Sequence, residues 1–172
     1  MNRLSTATLT VLTLLVPTLL PVPMLAQAPA DGANFGVGDQ VLISIHDRIE
    51  IQEKLLYGYA YTYDSKDCVS VSNLFATDAI LENPAGKAVG RDAILQWCQK
   101  NVVGNIKTRH NVMNIVFDQL TPRRAKTRTY LLLTWQKPGD HIPIIQGAAT
   151  YRDVIVKSDD GRWLFQERHT VP

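Results

Sequence analysis

An aspartate beside an apolar stripe is the first residue of this chain that invites chemistry. Ile45, Ile49, Gln52, Leu56, Tyr59 and Tyr63 recur at alternating steps of four and three, one face of an amphipathic helix. Asp64 lies one position beyond Tyr63, about 100° round the helix, so it borders that face. An unpaired carboxylate is costly there. An imidazole with one nitrogen bonded to it, for which His110 is the candidate, would satisfy the charge. The same bond would fix the tautomer and raise the basicity of the ring, as a general base for proton abstraction requires. A plainer reading competes: Asp64 caps the next segment in the run Asp64-Ser65-Lys66-Asp67, and His110 is a half-buried strand residue. Spacing alone favours the plainer one.

Tyr63 and Asn83 come next. A phenol and a carboxamide can both donate hydrogen bonds to a carbonyl oxygen that becomes an enolate, although a core position and an Asn83-Pro84 turn account for the same residues. His169 alternates with Trp163, Phe165 and Glu167 on a C-terminal strand, and faces either a pocket or the outer surface. His141, in a Pro138-Gly139-Asp140 turn, and His46, at a helix start, read as solvated. The histidines show neither H-x-H nor H-x₃-H spacing and the two cysteines lie far apart, so no metal site is expected. Without G-x-S-x-G, a P-loop or a strand-following G-x-G-x-x-G, no cofactor is expected either. Cys68 and Cys98 leave two readings open, a disulfide or two buried thiols on helices.

The elements that must position these residues change period midway. A helix runs from Ser44, its candidate N-cap, to about Asp64. Asp67 caps a second, short helix through Val71, Leu74 and Phe75, a short strand covers Ala79 to Glu82, and Gly90-Arg91-Asp92 opens a third helix through Ile94, Leu95, Trp97 and Cys98. Period two then takes over. Lys107 to Leu120, Arg124 to Gln136, Ile144 to Lys157 and Arg162 to Val171 read as four long strands, separated by Thr121-Pro122, Lys137-Pro138-Gly139-Asp140 and Ser158-Asp159-Asp160-Gly161. Separators this short make antiparallel neighbours. The expectation is an α+β domain, three N-terminal helices packed on one face of a curved, mainly antiparallel sheet.

This order, with Tyr63-Asp64-Ser65-Lys66-Asp67, Leu74-Phe75-Ala76-Thr77-Asp78-Ala79, Gly90-Arg91-Asp92-Ala93-Ile94, Thr108-Arg109-His110-Asn111 and Asp160-Gly161-Arg162-Trp163, resembles the nuclear-transport-factor-two-like superfamily, in its SnoaL-like and scytalone-dehydratase-like branch. The resemblance spans Ile45 to His169 and implies a cystatin-like cone, an α+β barrel. It implies an Asp near the end of the first helix and a His on the first long strand sharing an apolar pocket, here Asp64 and His110, which turns the balance toward a dyad. By the same resemblance Tyr63 matches a pocket tyrosine and Asn83 falls where the family has another. The second pocket histidine of scytalone dehydratase has no clear counterpart; Tyr130, Trp135 and Gln136 stand near its place, with Trp135 taken as substrate-binding. Scytalone itself is therefore a poor guess. The implied activity is a cofactor-independent lyase or isomerase of the hydro-lyase type, acting by proton abstraction on a small hydrophobic, aromatic or polycyclic substrate. An exported binding or assembly module of the same fold is the alternative.

Composition agrees with one such domain. The chain has 172 residues, 45% hydrophobic and 20% charged, with a formal charge of +2, too apolar for disorder and too evenly charged for an electrostatic nucleic-acid footprint. Residues 1–30 carry one basic residue, Arg3, no acid, a Leu/Val/Thr run from Leu9 to Leu20 and the small-residue pattern Ala26-Gln27-Ala28, a signal peptide for secretion or export to a periplasm. An N-terminal membrane anchor is the rival, but Pro17 and three threonines break a run already short of the ~20 residues a bilayer needs. Residues 31–43 are a glycine-containing lead-in and 44–172 the folded domain. Leu131, Leu133 and Trp135 alternate with Tyr130 and Leu132, so both sheet faces look partly buried, and a homodimer or higher homo-oligomer is expected.

Overall fold

The computed structural model describes residues 45–102, 104 and 106–172; the expected signal peptide, lead-in and Ser44 cap lie outside the described residues. Three helical pieces follow one another without a break: α1 (Ile45–Ile49), a π-helical segment (Glu50–Tyr57) and α2 (Gly58–Asp64). After them come α3 (Cys68–Asn73), β1 (Phe75–Asn83), β2 (Gly86–Val89), α4 (Arg91–Asn101) and four long strands, β3 (Lys107–Leu120), β4 (Arg124–Gln136), β5 (Ile144–Lys157) and β6 (Trp163–Val171). The four long strands stand where period two and the turn residues put them. Strand β2 and the N-terminal half of β1 are additions, and Phe75 begins a strand instead of ending a helix.

The strands form one sheet in the order β2-β1-β6-β5-β4-β3, antiparallel throughout except for β1 beside β6. Extra residues curl it. On β3 two register shifts, one of them around Asn114 at φ 54°, insert residues that have no partner on β4, and such bulges bend the strand and increase its twist. The helices fill the concave side, where Ile51, Leu55, Leu56, Val71, Phe75, Ile94, Ile155 and Phe165 are buried. Each large apolar side chain so buried is worth about 1.5–3 kcal/mol against exposure. The result is an α+β cone.

The first helix does not present the α-periodic stripe at its start. Ile45 and Ile49 are 78% and 53% exposed, while Ile51, Leu55 and Leu56 are buried. The π segment is the reason: its wider turns shift every later side chain round the axis, so a stripe counted at 3.6 residues per turn loses phase across it. Beyond it, Tyr59 packs as expected. An acid fastens each end of this rod. Asp47 accepts from Lys157 Nζ at 2.7 Å and from Trp163 Nε1 at 3.0 Å, and Asp64 reaches β3.

Asp67 is the N-cap of α3, its carboxylate accepting from the Ser70 amide at 3.0 Å and the Ser70 hydroxyl at 2.6 Å. Cys68, the next residue, is bonded to Cys98 of α4, with Cα atoms 5.6 Å apart. Of the two readings of the cysteines, the disulfide is the one the fold realises, and it ties α3 to the helix that carries Trp97.

Candidate functional site

Asp64 ends α2 pointing at β3, where period two sets Thr108 and His110 on the same, inner face. Its Oδ1 accepts the Nδ1–H of His110 at 2.6 Å and the Thr108 hydroxyl at 2.8 Å, and its Oδ2 accepts the His110 backbone amide at 2.9 Å. The two side chains are 10% and 9% exposed. Burial alone would raise the Asp64 carboxyl. The His110 side chain, its amide, its charge and Thr108 together outweigh burial and hold the carboxyl below its ordinary value of 3.8. An ionised carboxylate can only accept, so Nδ1 carries a proton, and it is in the neutral ring that Nε2 has the lone pair a base needs.

His110 lines a cavity of about 660 Å³, within the range that holds small organic ligands. Leu131, Leu133 and Trp135 of β4 form one wall and Trp97 of α4 contributes to another. Tyr59 and Tyr151, both buried, form the floor. The Tyr63 ring stands edge-on to that of His110 with centroids 5.0 Å apart, 5.9 Å from Tyr59 and 6.2 Å from Trp97. Burial first, and the Asp64 charge second, push the Tyr63 phenol up from 10.0, which keeps it protonated and a hydrogen-bond donor.

Beneath the floor lies a second acid–base pair. Arg168 of β6 and Asp153 of β5, directly opposite each other in register, are fully buried and joined by two bonds, Nε to Oδ1 at 2.8 Å and Nη2 to Oδ2 at 2.9 Å. The guanidinium carbon is 4.2 Å from the centre of the Tyr59 ring, 4.1 Å from Tyr151 and 4.0 Å from Phe165. This pair holds the floor tyrosines in place.

The structure therefore brings Asp64, His110 and Tyr63 together, and Asn83 and Trp135 line the same cavity. Asn83 also makes the turn, its Oδ1 accepting from the Ala85 amide at 2.9 Å, which leaves its NH₂ to donate to a ligand. Tyr130 points away from the cavity, 55% exposed. His169 is a correction: it does not line the cavity, its Nδ1 lying 3.4 Å from Glu82 and its Nε2 3.3 Å from Glu167. The neighbouring Thr170 lines it instead. An extra residue on β6, between the partners of Val154 and Ile155, reverses the inside–outside alternation after Phe165, so Arg168 and Thr170 turn inward and His169 outward.

Sequence reasoning missed Thr108, Tyr151, Trp97, Lys66 and the Asp153–Arg168 pair. Only Thr108 had a signal, two residues before His110 on one strand. Among the described residues no group of three His, Cys, Asp or Glu side chains is placed to hold a metal ion.

Comparison with solved structures shows the same fold. ActVI-ORFA from Streptomyces coelicolor superposes with a TM-score of 0.66 at 18% identity, covering 73% of this chain and 96% of that one. A provisionally named scytalone dehydratase from Novosphingobium aromaticivorans gives 0.62 at 24% identity, over 73% and 83%. A Catenulispora acidiphila protein, solved in complex with S-DNPA, gives 0.63 at 19%, over 74% and 95%. No curated protein sequence matches the chain. The model of the SnoaL-like domain matches residues 44–169, nearly the whole of the cone and every residue of the Asp64–His110 site, and the chain belongs to that family.

Proposed function

We propose that the protein is a cofactor-independent lyase or isomerase that abstracts a proton next to a carbonyl, or from an activated ring, of a small hydrophobic, aromatic or polycyclic molecule. One observation carries this reading: the 2.6 Å bond from His110 Nδ1 to Asp64, which leaves Nε2 as a base in the wall of an apolar cavity. In a dehydration, Nε2 takes the proton from the carbon beside the carbonyl. Asp64 stabilises the imidazolium through Nδ1, and the Tyr63 hydroxyl donates to the oxygen on which negative charge develops. As that charge returns, the C=C bond forms and the β C–O bond breaks, and the imidazolium gives its proton to the departing hydroxide, which leaves as water. His110 is then neutral again. An isomerisation differs only in returning the proton to another carbon.

Turnover of a panel of β-hydroxy ketones and hydroxylated aromatics, by wild type and by folded His110→Ala, tests the reading. Equal rates in the two would overturn it and leave a ligand-binding module of the same fold.

Two further parts of the proposal rest on separate observations. The Cys68–Cys98 bond is of a kind that persists in oxidising compartments and supports export, with a mature N-terminus between Gln27 and Asp31; an intact Met1 on protein extracted from membranes would favour the anchor instead. Met113, Val116 and Tyr130, exposed on the convex face of the sheet, support a homodimer packed through that face. Light scattering that gives a monomer at micromolar concentration would count against it.

A further inference from the structure

Lys66 stands apart among the residues around the cavity. Of the described residues that line it, Lys66 alone carries a fixed charge: no Asp, Glu or Arg is among them, and the rest of the partly exposed rim, Asn83, Asn101, Gln146 and Thr170, is neutral. Asp64 forms no ion pair with it, its oxygens being bonded to His110 and Thr108.

The backbone at Lys66 is also unusual. Helix α2 ends with the Asp67 amide bonded to the Thr62 carbonyl at 3.0 Å and the Lys66 amide to the Tyr63 carbonyl at 2.9 Å, the paired bonds of a Schellman ending. That ending puts Lys66 in the left-handed region, at φ 63°, a position glycine takes without cost and any residue with a Cβ does not. A helix stop needs no side chain there. The chain instead places its longest flexible cation at the cavity rim, where Nζ donates one bond, to the Gly104 carbonyl. No carboxylate of the described residues forms an ion pair with it, and an ammonium has three donors.

We propose that Lys66 is the anion anchor of the cavity and that its ligand is an aromatic or polycyclic carboxylate. The ring system would lie between Trp97, Trp135 and Leu131, and the acidic group at the rim on the Lys66 ammonium. This rests on the reading of the cavity as a ligand site given above, and names the substrate class for it.

Quenching of the fluorescence of Trp97 and Trp135 by 2-naphthoate and by its neutral isostere 2-naphthamide tests both levels. At low salt the wild type should bind naphthoate about tenfold more tightly than naphthamide, and added salt should narrow the gap. Lys66→Met should abolish the preference while still binding naphthamide, and Lys66→Arg and His110→Gln should keep it. Lys66→Gly should behave as Lys66→Met with an unchanged or higher melting temperature, which excludes misfolding as the cause. Equal affinities in the wild type, or a preference that survives Lys66→Met, would overturn the anchor and leave the cavity as a site for neutral apolar ligands. A preference lost in His110→Gln and kept in Lys66→Met would overturn it by moving the anion to the dyad. Quenching by neither ligand would overturn the cavity reading, and the anchor with it.

Discussion

Two acid–base pairs face the interior of this cone, and they are built for opposite ends. Asp153–Arg168 is sealed at 0% exposure on both sides, bidentate, and walled by three aromatic rings. Asp64–His110 has the same kind of charge complementarity, but one ring nitrogen lies on a cavity. A guanidinium does not release its proton in a protein, whereas an imidazole exchanges one readily. The sealed pair can only hold shape. The open pair can hold shape and also do chemistry, because Thr108 and the His110 amide, not the imidazole alone, satisfy the aspartate. If that contrast is right, damage to the first pair should appear as lost stability and damage to the second as lost turnover.

The largest effect is expected at Arg168. Arg168→Met leaves Asp153 buried without its partner, and breaking a buried pair in this way costs about 3–5 kcal/mol. Urea unfolding followed by tryptophan fluorescence should show it, and the double variant Asp153→Leu/Arg168→Met should recover much of the loss. A single variant as stable as the wild type would break the comparison on its structural side.

His110→Ala comes next. Turnover should fall by ~10²–10⁴ with little change in the urea midpoint, since Asp64 keeps the hydroxyl of Thr108 and the amide at position 110. A variant that loses stability as well would show that the open pair is structural after all.

Asp64→Asn sharpens the comparison through pH. The folded-state carboxyl lies below its ordinary 3.8, so its contribution to stability is fully present above about pH 5 and is lost as pH falls through the folded-state value. Below about pH 5 the stability gap between wild type and Asp64→Asn should therefore close as the pH falls. A gap that widened as pH fell below about 5 would contradict the bonding seen around Asp64.

The smallest effect belongs to a third pair, on the surface. Arg128 grips Asp118 with bonds of 2.7–3.0 Å, and its guanidinium first of all holds the Asp118 carboxyl down. Both side chains are well exposed, where solvent and salt screen the attraction. Asp118→Asn should leave the urea midpoint within experimental error. A loss approaching that of Arg168→Met would mean that burial is not what separates these pairs.

What was legible in the sequence was local. Period two between turn residues located β3, β4 and β5 with the bounds observed, because a strand with one face in a core must alternate and Pro, Gly and Asp clusters must end it. Asp67 was legible as a cap for the same reason, its partner Ser70 being three residues away. The dyad was not legible from spacing, which preferred a capping Asp64; only the likeness to a family of short motifs in order put it opposite His110.

The tertiary structure decided what depends on phase and on distance across the chain. One extra residue on β6 exchanged His169 for Arg168 and Thr170 on the inner face, and no local pattern marks where an alternating strand will slip. The π segment likewise moved the buried stripe from Ile45 and Ile49 to Ile51 and Leu55, because a register change in a helix is set by what the later turns must pack against. The Cys68–Cys98 bond, and the meeting of Asp64 with Thr108 and His110, each join residues at least 30 positions apart. Their spacing in sequence says nothing of their separation in space, which the curvature of the sheet and the packing of three helices against it determine.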